Sequence, residues 1–68
     1  MSTYRYSFFE SDGRLHATLL LYSLTDEDAC ELANDLLSRS EYTQVELHQR
    51  DTLVYRIGRA DTGERYVA

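Results

Sequence analysis

The sequence contains no lysine, no proline and no tryptophan, and it has a single cysteine. One cysteine, Cys30, excludes a disulfide within the chain, and one cysteine with two histidines is too few for a structural zinc site without carboxylate ligands. The three glycines are isolated turn residues, so there is no glycine-rich phosphate-binding loop. We therefore expect neither a metal nor a cofactor.

Long apolar runs are also missing. The longest, residues 19–22, is far short of the ~20 residues that a membrane-spanning helix needs. Residues 1–5 have neither the basic nor the apolar region of a signal peptide. A single unpaired cysteine fits a reducing compartment. These features predict a cytoplasmic protein without a membrane partner.

The net charge and the size of the chain limit the classes of partner that it is expected to bind. The net charge is −5, which opposes contact with a phosphate backbone, so we expect no direct nucleic-acid binding. With 68 residues the chain is one small domain with a thin core, and such domains usually add a disulfide, a metal or a second copy. Since the first two are excluded, the sequence predicts a homodimer.

A first β-hairpin is predicted over residues 4–22. Aromatic and polar residues alternate up to Glu10, and Asp12-Gly13 is the strongest short-range hairpin signal. A two-residue type I′ loop there predicts a register in which one face pairs Tyr4 with Leu21, Tyr6 with Leu19 and Phe8 with Ala17. The other face pairs Arg5 with Leu20, Ser7 with Thr18 and Phe9 with His16.

A helix is predicted to begin after Thr25, a good N-cap that precedes three acidic residues. Its apolar positions recur at helical spacing, with Cys30 on the flank, and are expected to face a sheet: Ala29, Leu32, Ala33, Leu36 and Leu37. Strands over residues 42–48 and 53–57 follow, joined by a turn at residues 49–52. In the last strand Leu53, Tyr55 and Ile57 are expected to point inward.

The order β-β-α-β-β predicts an α+β domain: a four-stranded, mostly antiparallel sheet with one helix on one face. Residues 1–58 form this domain. Residues 59–68 are expected to be a tail, either disordered or ending in a short edge strand at residues 65–67.

Few residues of the sequence are candidates for catalysis or ligand binding. Alternation places His16 and His48 on the outer face of the sheet, away from the helix, where we interpret them as surface histidines. Cys30 is interpreted as a small core residue. The acidic residues of the helix form a second candidate surface, interpreted mainly as capping and solvation: Asp26, Glu27, Asp28, Glu31 and Asp35. We therefore predict no catalytic residues.

The outer face of the predicted sheet is unusually apolar. A one-helix domain is expected to leave that face polar. Here alternation assigns to it a set that predicts an interface, the alternatives being ordinary scatter of exposed apolar residues or cover by the C-terminal tail: Phe9, His16, Leu20, Tyr22 and Val54.

Residues 4–57 resemble a loose class of small, stand-alone bacterial proteins. The likeness lies in the aromatic first strand, the Asp12-Gly13 turn, the Asp28-Ala29 step that opens the helix, and the Val45-Glu46-Leu47 strand. It implies a ββαββ fold and no activity. A weaker likeness, carried by residues 25–29, is to HicB-type antitoxin domains.

Three functions remain open. The first is a non-enzymatic module that binds proteins and self-associates. The second is an acidic inhibitor or antitoxin-like protein that occupies a basic site on a nuclease or toxin. The third is a small ligand-binding protein or enzyme that uses His16 or His48 in a site between subunits.

Overall fold

A computed structural model describes residues 2–58 and the backbone of residues 64 and 65. Its elements confirm the predicted order β-β-α-β-β. They are β1 (Ser2–Phe9), β2 (Leu15–Ser23), α1 (Asp26–Ser38), β3 (Gln44–Gln49), β4 (Thr52–Gly58) and the two-residue β5 (Glu64–Arg65). All neighbouring strands are antiparallel, in the spatial order β2-β1-β3-β4-β5, and α1 covers one face.

The first hairpin has the predicted register over most of its length but a different turn. Tyr4 to Phe8 pair as expected with Leu21 to Ala17. At the turn, however, the Glu10 N–H donates to the Arg14 carbonyl (3.0 Å), so the loop has three residues rather than two. Gly13 lies at φ +84° and donates to the Glu10 carbonyl, as in a type I turn closed by a left-handed glycine. A β-bulge then restores the register, because Phe9 pairs with Leu15 and Phe8 pairs with Ala17. His16 is the extra residue.

The helix begins as predicted. The Thr25 hydroxyl accepts a hydrogen bond from the Asp28 N–H at 3.1 Å, which satisfies one of the free donors of the first turn. All five positions expected to face the sheet contact the core: Ala29, Ala33 and Leu37 are buried, and Leu32 and Leu36 are half-buried against it. Cys30, which was placed on the flank of this face, is also buried in the core.

The second hairpin turns at residues 49–52, as predicted, with Gln49 opposite Thr52. Its strands contain a bulge that the alternating pattern did not show. Leu47 pairs with Tyr55 and His48 pairs with Leu53, so Val54 is the extra residue on β4. The expected outward position of Val54 is wrong, because its side chain is 9% exposed and belongs to the core. Leu53, expected inside, lies opposite the outward-facing His48.

The core lies between α1 and three of the strands. Its largest fully buried side chains are Tyr4, Tyr6, Val45 and Leu47. Three tyrosine hydroxyls cross from the sheet to the helix and donate hydrogen bonds there: Tyr4 to the Asp26 carboxylate, Tyr6 to the Ala29 carbonyl (3.5 Å) and Tyr55 to the Asn34 side-chain oxygen (3.0 Å). Buried phenols usually find such partners, and here the partners anchor the helix along its length.

Burial changes the acidity of two of these phenols. Removal from water, with a smaller contribution from the neighbouring Asp26 carboxylate, raises the pKa of Tyr4 to about 12. Burial also raises the pKa of Tyr6. Both groups therefore favour their neutral, hydrogen-bond-donating form in the folded chain.

The two edges of the sheet differ. On one side β5 pairs with Tyr55 and Arg56 of β4. The predicted edge strand at residues 65–67 overlaps β5 at Arg65, and its other two residues lie outside the described part of the chain. On the other side β2 has no neighbour among the described residues. Within that same part of the chain, no helix has the length and apolar character needed to cross a membrane.

Candidate interaction surface

β2 is the most exposed of the long strands. Every large apolar side chain that is strongly exposed in the described chain belongs to β2 or follows it directly: Leu15, Leu19, Leu20, Tyr22 and Leu24. We call these five residues the β2 patch. Isolated apolar residues on a surface are ordinary, but a set confined to one segment is typical of a contact surface.

The helix covers β2 only in part. It lies closest to β3 and also contacts β2 and β4, while the hydroxyls of Tyr4, Tyr6 and Tyr55 join β1 and β4 to it. Its contact face is narrow because two of its residues are alanines. Leu19 sits on the helix side of the sheet, opposite Tyr6, yet it remains 41% exposed. The helix therefore leaves the outermost strand partly bare even on the face that it covers.

The β2 patch is apolar on both faces of the sheet. Leu19 lies on the helix side, whereas Leu20 and Tyr22 alternate with it on the outer face, where they are 64% and 72% exposed. Strands buried on one face normally place polar residues on the other. The absence of that alternation in residues 19–22 distinguishes β2 from β1, where Arg5 and Ser7 separate the buried aromatic residues.

Beyond β2 the middle of the outer face is polar, between Phe9 near the first turn and Leu53 opposite His48. Strand register places Ser7 beside Glu46 and Glu46 beside Arg56, so a polar row crosses the middle of this face. A second row runs from Leu20 through Arg5 to His48. The five residues predicted as an interface are thus not brought together: Leu20 and Tyr22 share the exposed end of the face, Phe9 is half-buried near the turn, and Val54 is in the core.

His16, the fifth residue of that set, is not on the outer face. As the bulge residue it joins the side of Phe8 and Glu10, where its Nδ1 lies 3.2 Å from the Glu10 carboxylate and its ring packs on Tyr42 at 5.1 Å between centroids. These side chains line an open depression of about 450 Å³. His48 lies on the opposite face, so the two histidines do not form a pair.

The His16–Glu10 pair lies in an open depression, where the interaction between the two side chains is weak. Both side chains are about half exposed, so solvent screens their interaction. His48 is different, since its Nδ1 is buried and has no hydrogen-bond partner within the described residues. Within those residues no three His, Cys, Asp or Glu side chains are grouped as a metal site requires.

The acidic residues of the helix are all exposed, and the carboxylates of Asp26 and Asp35 have partners. Asp26 accepts a hydrogen bond from Tyr4, and Asp35 contacts Arg39 one turn later at 3.1 Å. Asp26, Glu27 and Asp28 lie in the first turn, where negative charge is favourable. Glu27 and Glu31 lie on the same solvent-facing side. Capping and helix-surface pairing therefore account for much of this charge.

Sequence reasoning missed three members of the β2 patch: Leu15, Leu19 and Leu24. Alternation placed Leu19 on the same face as Tyr6, which the helix covers, yet Leu19 is 41% exposed. The run of apolar residues at 19–22 was the available signal, since such a run has no polar face. Comparison of the chain with protein-family models, with curated proteins and with solved structures gives no match.

Proposed function

We propose that this chain is a non-enzymatic protein-binding module that acts by self-association, with the β2 patch as its contact surface. One observation carries the proposal: the strongly exposed large apolar side chains of the described residues are confined to a single ten-residue segment, residues 15–24. We also propose that it works in the cytoplasm, because its only cysteine is free and buried.

The energetic argument rests on size. A domain of 68 residues has a small core, and its total stability is expected to be of the order of 5 kcal/mol. Each large apolar side chain left in water forgoes about 1.5–3 kcal/mol of burial. Covering even two members of the β2 patch would therefore change the stability of the domain by a large fraction.

The depression around His16 supports the third candidate, a ligand-binding role, less well. Its one ion pair joins two half-exposed side chains, and a single domain does not enclose it. An acidic inhibitor, the second candidate, is supported only by the exposed carboxylates of α1. A self-associating module accounts for the apolar surface, which neither alternative uses.

The test is the oligomeric state over a range of concentrations, measured by sedimentation velocity. We expect the wild type to form dimers at tens of micromolar and Leu19→Arg to be monomeric. Glu31→Gln is a matched control, because it changes the net charge by the same amount at an exposed position on the helix, and it should remain dimeric. A wild type that stays monomeric at several hundred micromolar would overturn the proposal.

Salt separates this proposal from the acidic inhibitor. An apolar contact is unchanged or strengthened at about 1 M salt, whereas a contact between charges weakens. Dimers that dissociate in high salt would contradict an apolar contact through the β2 patch.

A further inference from the structure

We infer that the β2 strand of a second copy of this chain occupies the free β2 edge, so that two sheets join into one continuous antiparallel sheet. This inference rests on the proposed function and specifies its geometry. The alternative geometry, in which two sheets stack through their outer faces, uses different atoms and can be distinguished from it.

The backbone of β2 has free hydrogen-bonding groups on its outer edge. Just beyond β1, the Glu10 N–H donates to the carbonyl of Arg14, which precedes β2, whereas the Phe9 carbonyl accepts from Thr43, which precedes β3. Successive residues of this segment therefore direct their backbone groups to opposite neighbours. Tyr4, Tyr6 and Phe8 therefore pair with Leu21, Leu19 and Ala17. The intervening residues of β2 direct their N–H and C=O groups away from the sheet: Thr18, Leu20 and Tyr22. These groups form a template for another strand.

No described strand of the chain covers this edge. β5 is paired with β4, at the far side of the sheet from β2.

The two-sided apolar character of β2 favours edge pairing over stacking. A sheet stacked on the outer face would cover Leu20 and Tyr22 but leave Leu19, which lies on the helix side, in water. It would also bury the polar row of Ser7, Glu46 and Arg56 in the contact. A strand that pairs along the β2 edge contacts side chains on both faces of the sheet, Leu19 on the helix side and Leu20 and Tyr22 on the outer side.

Charge favours a second copy as the occupant. β2 contains no Asp, Glu, Lys or Arg, so two chains that each carry a net charge of −5 can meet there without opposing like charges. Full overlap of two nine-residue strands places Leu19 opposite Leu19 of the other copy and Thr18 opposite Leu20. This register also pairs the outward-pointing backbone groups with each other.

The first test is Thr18→Pro, with Thr18→Ala as its matched control. Proline removes the outward N–H but no hydrogen bond to β1, and edge strands tolerate it. We expect Thr18→Pro to raise the dissociation constant of the dimer by about tenfold or more, and Thr18→Ala to leave it nearly unchanged. Far-ultraviolet circular dichroism checks that both variants are folded.

The second test is oxidation of Leu19→Cys, with the wild type and Glu31→Cys as controls. Opposed, non-hydrogen-bonded residues of antiparallel strands lie within disulfide distance, so Leu19→Cys should give a covalent dimer and the controls should not. This test decides the question if Thr18→Pro fails to fold.

Each negative result has a separate meaning. A dimer that survives Thr18→Pro and does not cross-link through Leu19→Cys would overturn edge pairing while leaving self-association intact. A monomeric wild type would instead overturn the proposed function itself.

Discussion

The two hairpins place their second strands, β2 and β4, in opposite situations. β4 contains Val54 and Tyr55, which are buried, and β5 covers its outer edge. β2 contains four leucines, yet most of its residues are exposed and its outer edge is free of other described strands. The more leucine-rich strand is thus the less buried one. Apolar content alone did not decide burial in this fold, because β4 has a neighbouring strand on each side whereas β2 has one only on its β1 side among the described residues.

Replacing one tyrosine in each strand, Tyr55 in β4 and Tyr22 in β2, should give the largest difference in the free energy of unfolding between the two strands. Tyr55→Ala should lower the free energy of unfolding by about 3–5 kcal/mol, because it removes a buried ring and leaves Asn34 without its hydrogen bond. Tyr22→Ala should cost less than about 1 kcal/mol in the monomer. Urea unfolding at a concentration below dimer formation measures both. Equal losses would mean that β2 is as well packed as β4.

The pH dependence of stability tests the buried side of the sheet. The pKa of Tyr4 is raised to about 12, above the ~10 of an unfolded chain, so the folded state binds this proton more tightly. Its contribution is complete below pH ~10 and is lost as the pH rises toward 12. We expect the free energy of unfolding to fall across that window, with Tyr6 acting in the same direction.

Tyr4→Phe should make this decline shallower, because the variant has no phenol to ionise at that position. Chemical unfolding at several pH values between about 9 and 12 provides the comparison with wild type. Parallel curves for the two proteins would show that Tyr4 does not contribute to the alkaline loss of stability.

The smallest expected effects come from the two hairpin turns. Gly13 lies at φ +84° with open space around it, so Gly13→Val should destabilise the domain by about 1–2 kcal/mol through backbone conformation alone. Arg50 lies at φ +58° without being glycine, so Arg50→Gly should stabilise the domain by about 0.5 kcal/mol. Thermal melts of both variants show whether each substitution raises or lowers the melting temperature. A destabilising Arg50→Gly would mean that the second turn carries no backbone strain.

Local signals in the sequence predicted much of the fold. Alternation identified the strands, Thr25 identified the start of the helix, and Asp12-Gly13 located the first turn. The register of Tyr4 to Phe8 was correct even though the loop has one more residue than expected. The bulge at His16 compensates for that residue, which is why two local errors left the body of the hairpin unchanged.

The candidate surface was less predictable, because single-residue irregularities decide which face a side chain occupies. The bulges at His16 and Val54 each break the two-residue period of their strand. As a result, neither side chain lies on the outer face, where alternation placed it. The exposure of Leu19 depends instead on where the helix crosses the sheet. The sequence by itself determined the elements and their order, since those follow from periodicity and capping among near neighbours. Only the tertiary structure decided the strand order and the free edge of β2, because both arise from contacts between residues far apart in the chain.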